Sequence, residues 1–235
     1  MSRVRRIVTS RSGGASKGPY ASFNLADRVG DDPAAVTANR RRLARATGLG
    51  PDRLVWMEQV HGAEVATVDG PRAEPVPGSD GLVTATVGLA LAVLVADCVP
   101  VLLADPAAGV VAAVHAGRAG AAAGVVPRAV EAMIALGATP AGAHALLGPA
   151  VCGECYEVPE EMRAEVEARL PGSATTTRLG TPGLDLRAGL ARQLVAFGVA
   201  RVVADPRCTA EDPELFSHRR DGVTGRQAGV AWIEA

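Results

Sequence analysis

Apolar residues run almost unbroken from Leu89 to Gly120, and this stretch predicts two strands joined at Asp105-Pro106-Ala107-Ala108-Gly109, where proline and glycine supply the turn chemistry. With the hairpin centred between Pro106 and Ala107, Ala104 faces Gly109, Leu102 faces Val111 and Cys98 faces His115. A cysteine near the middle of one strand and a histidine at the end of the other then stand with their Cβ atoms roughly 4.5–5.5 Å apart. A bulge at Gly109 would slip the register by one residue and undo that alignment.

Around this hairpin the pattern predicts a first strand over Arg3 to Ser10, and a Gly/Ser/Pro loop over Ser12 to Tyr20. A helix is predicted to open at Asp31-Asp32-Pro33, run to about Thr47 and end at Gly48. Arg40, Arg41, Arg42 and Arg45 form its solvated face. β-type segments follow at Arg53 to Val60 and Ala63 to Val68, then a Pro/Gly-rich loop to Gly78 and a strand over Asp80 to Thr84. After the hairpin, Gly120 to Leu136 is Ala-rich and helical, with Pro127 either kinking it or marking its true start. Ala143 to Leu147 reads as a strand, Glu160 to Leu170 as a helix, Pro171 to Thr181 as a loop and Leu184 to Phe197 as a helix ended by Gly198. Arg201 to Ala204 and Gly229 to Ile233 close the list of strands, the second preceded by an Arg-rich loop from Glu211. Strands and helices alternate irregularly, with a hairpin among them. The expectation is an α/β or α+β single domain over residues 1–235, with a mixed sheet.

Composition narrows the function classes. A net charge of −1 gives no basic footprint for nucleic acid. Lys17 is the only lysine, and the glycines before it lack the P-loop spacing, so nucleoside triphosphate chemistry is disfavoured. No apolar run reaches the ~20 residues of a spanning helix, and the Arg-bearing N-terminus lacks the apolar core of a secretory signal. Four cysteines without an export signal suggest reduced thiols. The expectations are a cytoplasmic protein with no nucleic-acid or membrane partner, a monomer or weak oligomer.

Three residues stand out for chemistry. His61, Cys98 and His115 make a Cys/His₂ set, which would leave a fourth tetrahedral position open as in catalytic zinc sites. On residue type alone, a small buried hydrophobe and two core histidines is the more ordinary reading. Cys152-Gly153-Glu154-Cys155 is a lone C-x-x-C, read as structural or incidental thiols. The loop carrying Arg219, Arg220 and Arg226 reads either as an anion-binding element or as a solvated turn. No G-x-S-x-G supports serine hydrolase chemistry.

Asn24-Leu25, Val29-Gly30-Asp31-Asp32-Pro33, Gln59-Val60-His61-Gly62, Ala96-Asp97-Cys98-Val99-Pro100-Val101 and Val114-His115-Ala116-Gly117 resemble the bacterial laccase-domain family. Members of that family are labelled polyphenol oxidase, purine nucleoside phosphorylase or peptidoglycan editing factor. Gly148-Pro149-Ala150, Tyr156-Glu157-Val158, Cys208-Thr209, Phe216-Ser217, Arg219-Arg220 and Thr224-Gly225-Arg226 extend the resemblance over nearly the whole chain. It implies α/β/β/α layers with mixed sheets, similar to the cytotoxic necrotizing factor catalytic fold, and zinc held by His61, Cys98 and His115. It also implies phosphorolysis of adenosine, inosine and methylthioadenosine, with deamination of adenosine beside it. Purine nucleosides and phosphate are then the small-molecule partners, and Arg11, Asn24, Gln59, Arg118, Arg219 and Arg226 the candidate substrate-binding residues. Two further readings stay open: copper-dependent oxidation of phenols, and editing of muramyl-peptide precursors. Four histidines in the chain are too few for a multicopper cluster. The chain departs from the family's HAGWRG at His115-Ala116-Gly117-Arg118-Ala119-Gly120, where Arg118 replaces tryptophan and Ala119 replaces arginine, and His218 stands where tyrosine is usual.

Overall fold

The computed structural model describes residues 3–234. In chain order the elements are β1 (Val4–Val8), α1 (Pro33–Thr47), β2 (Leu54–Val55), β3 (Val65–Thr67), β4 (Gly81–Thr84), β5 (Ala90–Val95), β6 (Val99–Asp105) and β7 (Val110–Ala116). There follow α2 (Arg118–Ala122), α3 (Val125–Ala135), β8 (His144–Leu147), α4 (Glu160–Arg169), β9 (Ala174–Thr176) and β10 (Pro182–Leu184). The chain closes with α5 (Leu186–Ala196), β11 (Arg201–Ala204), α6 (His218–Asp221) and β12 (Gln227–Ile233).

Two mixed sheets carry the structure, ordered β1-β12-β5-β2 and β11-β8-β6-β7-β4-β3. They pack face to face, and the side chains show why the central sequence is apolar without interruption. On β5, Leu91, Val93 and Val95 point into the layer between the sheets, while Ala90 and Ala92 point outward against Leu43 and Ala44 of α1. On β6 and β7, Leu102, Ala104, Val111 and Ala113 fill the same inter-sheet layer. Val101, Leu103, Ala112 and Val114 pack instead against Val126, Val130 and Met133 of α3 and Leu190 and Leu194 of α5. Each strand alternates with period two, yet both of its faces are dry, so no polar residue marks the alternation. The order is helix, sheet, sheet, helices: the α/β/β/α layering expected from the sequence. No helix among the described residues is long and apolar enough to cross a membrane.

Local chemistry sets the helix ends as read from the sequence. Asp32 caps α1 by accepting from the Ala34 N–H, Pro33 occupies its first turn, and Gly48 ends it in the left-handed conformation at φ 73°. Pro127 marks a start, not a kink. The single helix expected over Gly120 to Leu136 is two, α2 and α3, divided at Gly124 with φ 85°, and Pro127 sits in the first turn of α3, where a missing N–H costs nothing.

Three expectations are corrected. The loop from Pro171 to Thr181 contains β9, which pairs with β10 in a small sheet of its own. The segment from Arg53 to Val60 is strand only at Leu54–Val55. Most consequentially, the strand expected to carry Cys98 near its middle is two strands in different sheets. β5 belongs to the first sheet and β6 to the second, and Ala96-Asp97-Cys98 is the crossover between them, with Asp97 at φ 88°. The hairpin register also moves by two residues. The Asp105 carboxylate accepts from the N–H groups of Ala107 and Ala108, and its carbonyl from Gly109 at φ 66°, so four residues form the loop and Asp105 pairs with Val110. Pro100, not Cys98, lies opposite His115. Because the slip is two and side chains alternate with period two, the inward and outward faces are kept.

Candidate metal centre and its cleft

The crossover leaves the first sheet and enters the second at one end of the inter-sheet layer, and there it meets His115 at the close of β7 and the loop bearing His61. Their donor atoms converge: one each from His61, Cys98 and His115 lies within 4.8 Å of the others, with Cys98 Sγ 4.0 Å from His61 Nε2. Sulfur at about 2.3 Å and nitrogen at about 2.0–2.1 Å from one zinc ion require only slight contraction of this set. His61 and His115 meet edge to face, with ring centroids 4.7 Å apart.

The convergence depends on Asp80, a buried carboxylate just before β4. Its Oδ1 accepts from the His61 backbone N–H at 3.0 Å and pairs with His115 Nδ1 at 2.7 Å. Its Oδ2 accepts from the N–H groups of Val60 at 3.1 Å and Gly62 at 2.7 Å. These bonds hold His61 in the left-handed region, φ 59°, which a non-glycine residue enters only when its surroundings compel it. They also fix the His115 tautomer, leaving Nε2 for an ion, the arrangement in which a carboxylate orients a metal-bound imidazole. Gly117 completes the fit. A Cβ there would stand 2.9 Å from His61 Cδ2 and 3.1 Å from Cys98 Sγ, so only glycine leaves room for the three ligands to close.

Electrostatics ready the sulfur but keep on His115 a proton that an ion would displace. Burial pushes the Cys98 thiol up, but hydrogen bonds and charge from His115 and His61 outweigh it and bring the thiol down to about 6. Burial acts to lower His115, yet Asp80 and then Cys98 carry it up to about 9. Asp80 is itself penalised by burial; its bonds to His115 and Gly62 prevail and hold it below the ordinary carboxylate value. The sulfur is therefore a thiolate at neutral pH, the form that binds metal.

The three donors lie in the wall of a cleft of about 770 Å³ that Gln59, Arg118, Tyr156, Arg219 and Arg226 also line. Arg219 is placed by Asp97, whose Oδ2 accepts from its backbone N–H at 2.7 Å, and its guanidinium lies 5.1 Å over the Tyr156 ring. Arg226 is fixed by donating to the carbonyls of Thr224 and Gly225, both at 2.9 Å. Burial raises the Tyr156 hydroxyl, with the nearby Arg118 opposing, so it stays protonated and able to donate. Gln59 lines the cleft, but its amide is spent on the backbone of Leu94, at 2.7 and 2.8 Å.

Two of the residues expected to meet substrate sit elsewhere. Arg11 donates to the Ala21 carbonyl at 3.0 Å and lies 4.9 Å over the Phe216 ring, away from the cleft lining. Asn24 is fully buried and bonds Ala26, Asp31 and the Arg226 backbone, so it braces the loop that presents Arg226. Sequence reasoning missed Asp80, Asp97 and Tyr156 as members of the site. Asp80 and Asp97 left a faint signal: each is a lone acid at the edge of an apolar strand, with no helix to cap.

Known proteins resemble the chain over nearly its whole length. Residues 5–234 match the family described as multi-copper polyphenol oxidoreductase laccase. The chain belongs to that family. Among curated members, the purine nucleoside phosphorylase of Mycobacterium tuberculosis is 62% identical over 232 residues, covering 99% of this chain and 93% of the relative. The purine nucleoside phosphorylase of Corynebacterium glutamicum is 58% identical over 232 residues, 98% of this chain and 94% of that one. Among solved structures, YlmD from Geobacillus stearothermophilus superposes with a TM-score of 0.92 at 36% identity, covering 99% of this chain and 92% of that one. The laccase-family likeness therefore extends from sequence to the whole mixed α/β architecture.

Proposed function

We propose that the chain is a purine nucleoside phosphorylase, acting on adenosine, inosine and methylthioadenosine, and that the same cleft deaminates adenosine. The observation that carries this reading is the meeting of His61, Cys98 and His115 in a cleft whose wall also presents Arg118, Arg219 and Arg226. Family relatives at 58–62% identity bear the name of this activity. In phosphorolysis a phosphate oxygen bonds to C1′ of the ribose, the bond from C1′ to the purine nitrogen breaks, and the base leaves with a proton.

His61, Cys98 and His115 would hold zinc, which supplies an electrophilic centre at neutral pH when bound. Asp80 keeps His115 Nδ1 engaged and so presents Nε2 to the ion. Arg118, Arg219 and Arg226 give the cleft the cationic side that a phosphate dianion requires, with Arg226 held rigid by its two carbonyls. The protonated Tyr156 hydroxyl offers a donor to sugar or base. Here Arg118 serves the anion from the position where the wider family carries tryptophan. Four free cysteines suit a reducing cytoplasm.

The test is a nucleoside panel with and without phosphate on zinc-loaded protein, following ribose 1-phosphate and ammonia. Phosphate-dependent ribose 1-phosphate, lost in Cys98→Ala together with the zinc shared by His61 and His115, supports the reading; turnover retained by Cys98→Ala that lacks zinc at those two histidines refutes it. A second reading, oxidation of phenols with copper, draws on the donor set, since two imidazoles and one thiolate also suit copper. Dioxygen uptake by the copper-loaded protein, with no ribose 1-phosphate from any nucleoside, would favour it.

A further inference from the structure

Away from the cleft wall donors, a second set of soft ligands is gathered. Cys152, Cys155, Cys208 and Glu211 each place one donor atom within 4.8 Å of the others. They come from two turns of matching form, Cys152-x-x-Cys155 and Cys208-x-x-Glu211. In each turn the fourth residue's N–H donates to the first residue's carbonyl, at 3.0 Å for Cys155 and 3.1 Å for Glu211. Two such chelating turns facing one another are the construction of closed structural zinc sites.

Donors already meet two of the sulfurs, although burial and the crowding of the thiols hold Cys155 up at about 12 and Cys208 above the ordinary thiol value, protons that a divalent ion would displace. The Cys152 backbone N–H donates to Cys208 Sγ at 3.3 Å, and Arg178 donates to Cys155 Sγ at 3.4 Å while also pairing with Glu211. The turns are registered before any ion arrives: Ala150 and Cys208 form a parallel bridge, and the Thr209 N–H donates to the Ala150 carbonyl at 3.1 Å. No disulfide joins these cysteines. Three thiolates and a carboxylate carry four negative charges, of which a divalent ion neutralises two and Arg178 a third. A tetrahedron of sulfurs at about 2.3 Å from zinc has edges of about 3.8 Å, so closing this set needs about an ångström of movement.

We propose that Cys152, Cys155, Cys208 and Glu211 form a second, structural site for a zinc-class divalent ion. Its position gives it a task. Tyr156 follows Cys155 directly and lines the cleft, and Thr209 follows Cys208 and donates to Asp97 Oδ1 at 2.6 Å, one residue before Cys98. The ion pins together the two loops that hold these parts of the cleft from behind.

The experiment uses the full chain with Cys98→Ala, which removes the first site's thiolate. Metal content after purification under reducing conditions is expected to stay at about one zinc per chain, and to fall to near zero when Cys208→Ser is added. Cobalt loading of Cys98→Ala should give an intense thiolate-to-cobalt absorption band, which two imidazoles alone cannot produce. Glu211→Ala, at an exposed position, keeps the fold and is expected to weaken the metal at least tenfold in chelator competition. In the zinc-loaded wild type, Cys152, Cys155 and Cys208 should resist a thiol reagent until chelator is added. A Cys98→Ala protein with no bound metal and no cobalt–thiolate band, or immediate reaction of all three thiols with zinc present, overturns the proposal.

Discussion

Replacing Asp80 with asparagine is the sharpest perturbation of the main site, because it changes one atom and touches every ligand-bearing element. The carboxylate accepts two hydrogen bonds at each oxygen: His115 Nδ1 and the His61 N–H at Oδ1, the Val60 and Gly62 N–H groups at Oδ2. Turned toward Val60 and Gly62, an amide NH₂ faces two donors; turned the other way it faces the His61 N–H and a His115 ring nitrogen that must change tautomer to accept. Each donor left unpaired costs about 1–3 kcal/mol, so the variant is expected to lose about 1–6 kcal/mol of stability. His115 also loses the partner that sets its tautomer, a change that typically weakens a metal ligand set 10–100-fold. Urea denaturation measures the first effect and competition with a chromophoric chelator the second. The pH dependence carries its own sign. The Asp80 carboxyl lies below its usual range in the folded chain, so its contribution is complete above an unfolded value near 4 and fades as pH falls through the folded value. The gap between wild type and Asp80→Asn should therefore narrow in acid. Wild-type stability and wild-type zinc affinity in Asp80→Asn would refute the reasoning.

Gly117→Ala tests crowding: its backbone, at φ −74° and ψ 168°, accepts alanine, but the added methyl displaces His61 and Cys98. Overpacking is expected to cost about 1–3 kcal/mol, and zinc affinity by chelator competition should drop well beyond what thermal melting shows. Proton release on zinc binding follows from Cys98 at about 6 and His115 at about 9. Between those values the ion-free pair is thiolate and imidazolium, so binding expels one proton and affinity should climb about tenfold per pH unit, steepening below 6 where the thiol must also ionise. Calorimetry in buffers of different ionisation enthalpy reads the proton count. Arg219→Met should raise the KM for phosphate roughly tenfold or more, with zinc content unchanged; steady-state kinetics at fixed inosine would show it.

Much of the layering was legible because alternate faces of β5, β6 and β7 all need apolar partners, and α1 announced itself with Asp32, Pro33 and Gly48. The break at Asp97 was hidden for the same reason. A crossover between two buried strands stays apolar, and a single aspartate at φ 88° is a small mark in such a run. The hairpin register depended on Asp105 folding its carboxylate back onto Ala107 and Ala108, a local bond that no hydrophobic pattern encodes. The Cys98–His115 proximity was nonetheless inferable, since a two-residue slip preserves faces. Asp80 and Cys208 were out of reach because their partners lie 35 and 56 residues away along the chain. Arg11 and Asn24 show the converse: residues that belong to a motif can serve the scaffold, one on Phe216 and the other behind Arg226.

Anomalous scattering at the zinc edge from crystals of the zinc-loaded protein addresses the central claim most directly. The account predicts a peak about 2.3 Å from Cys98 Sγ and about 2.0–2.1 Å from one nitrogen each of His61 and His115. Crystals that show no peak among those three side chains, grown from protein that still releases purine from inosine, would contradict it.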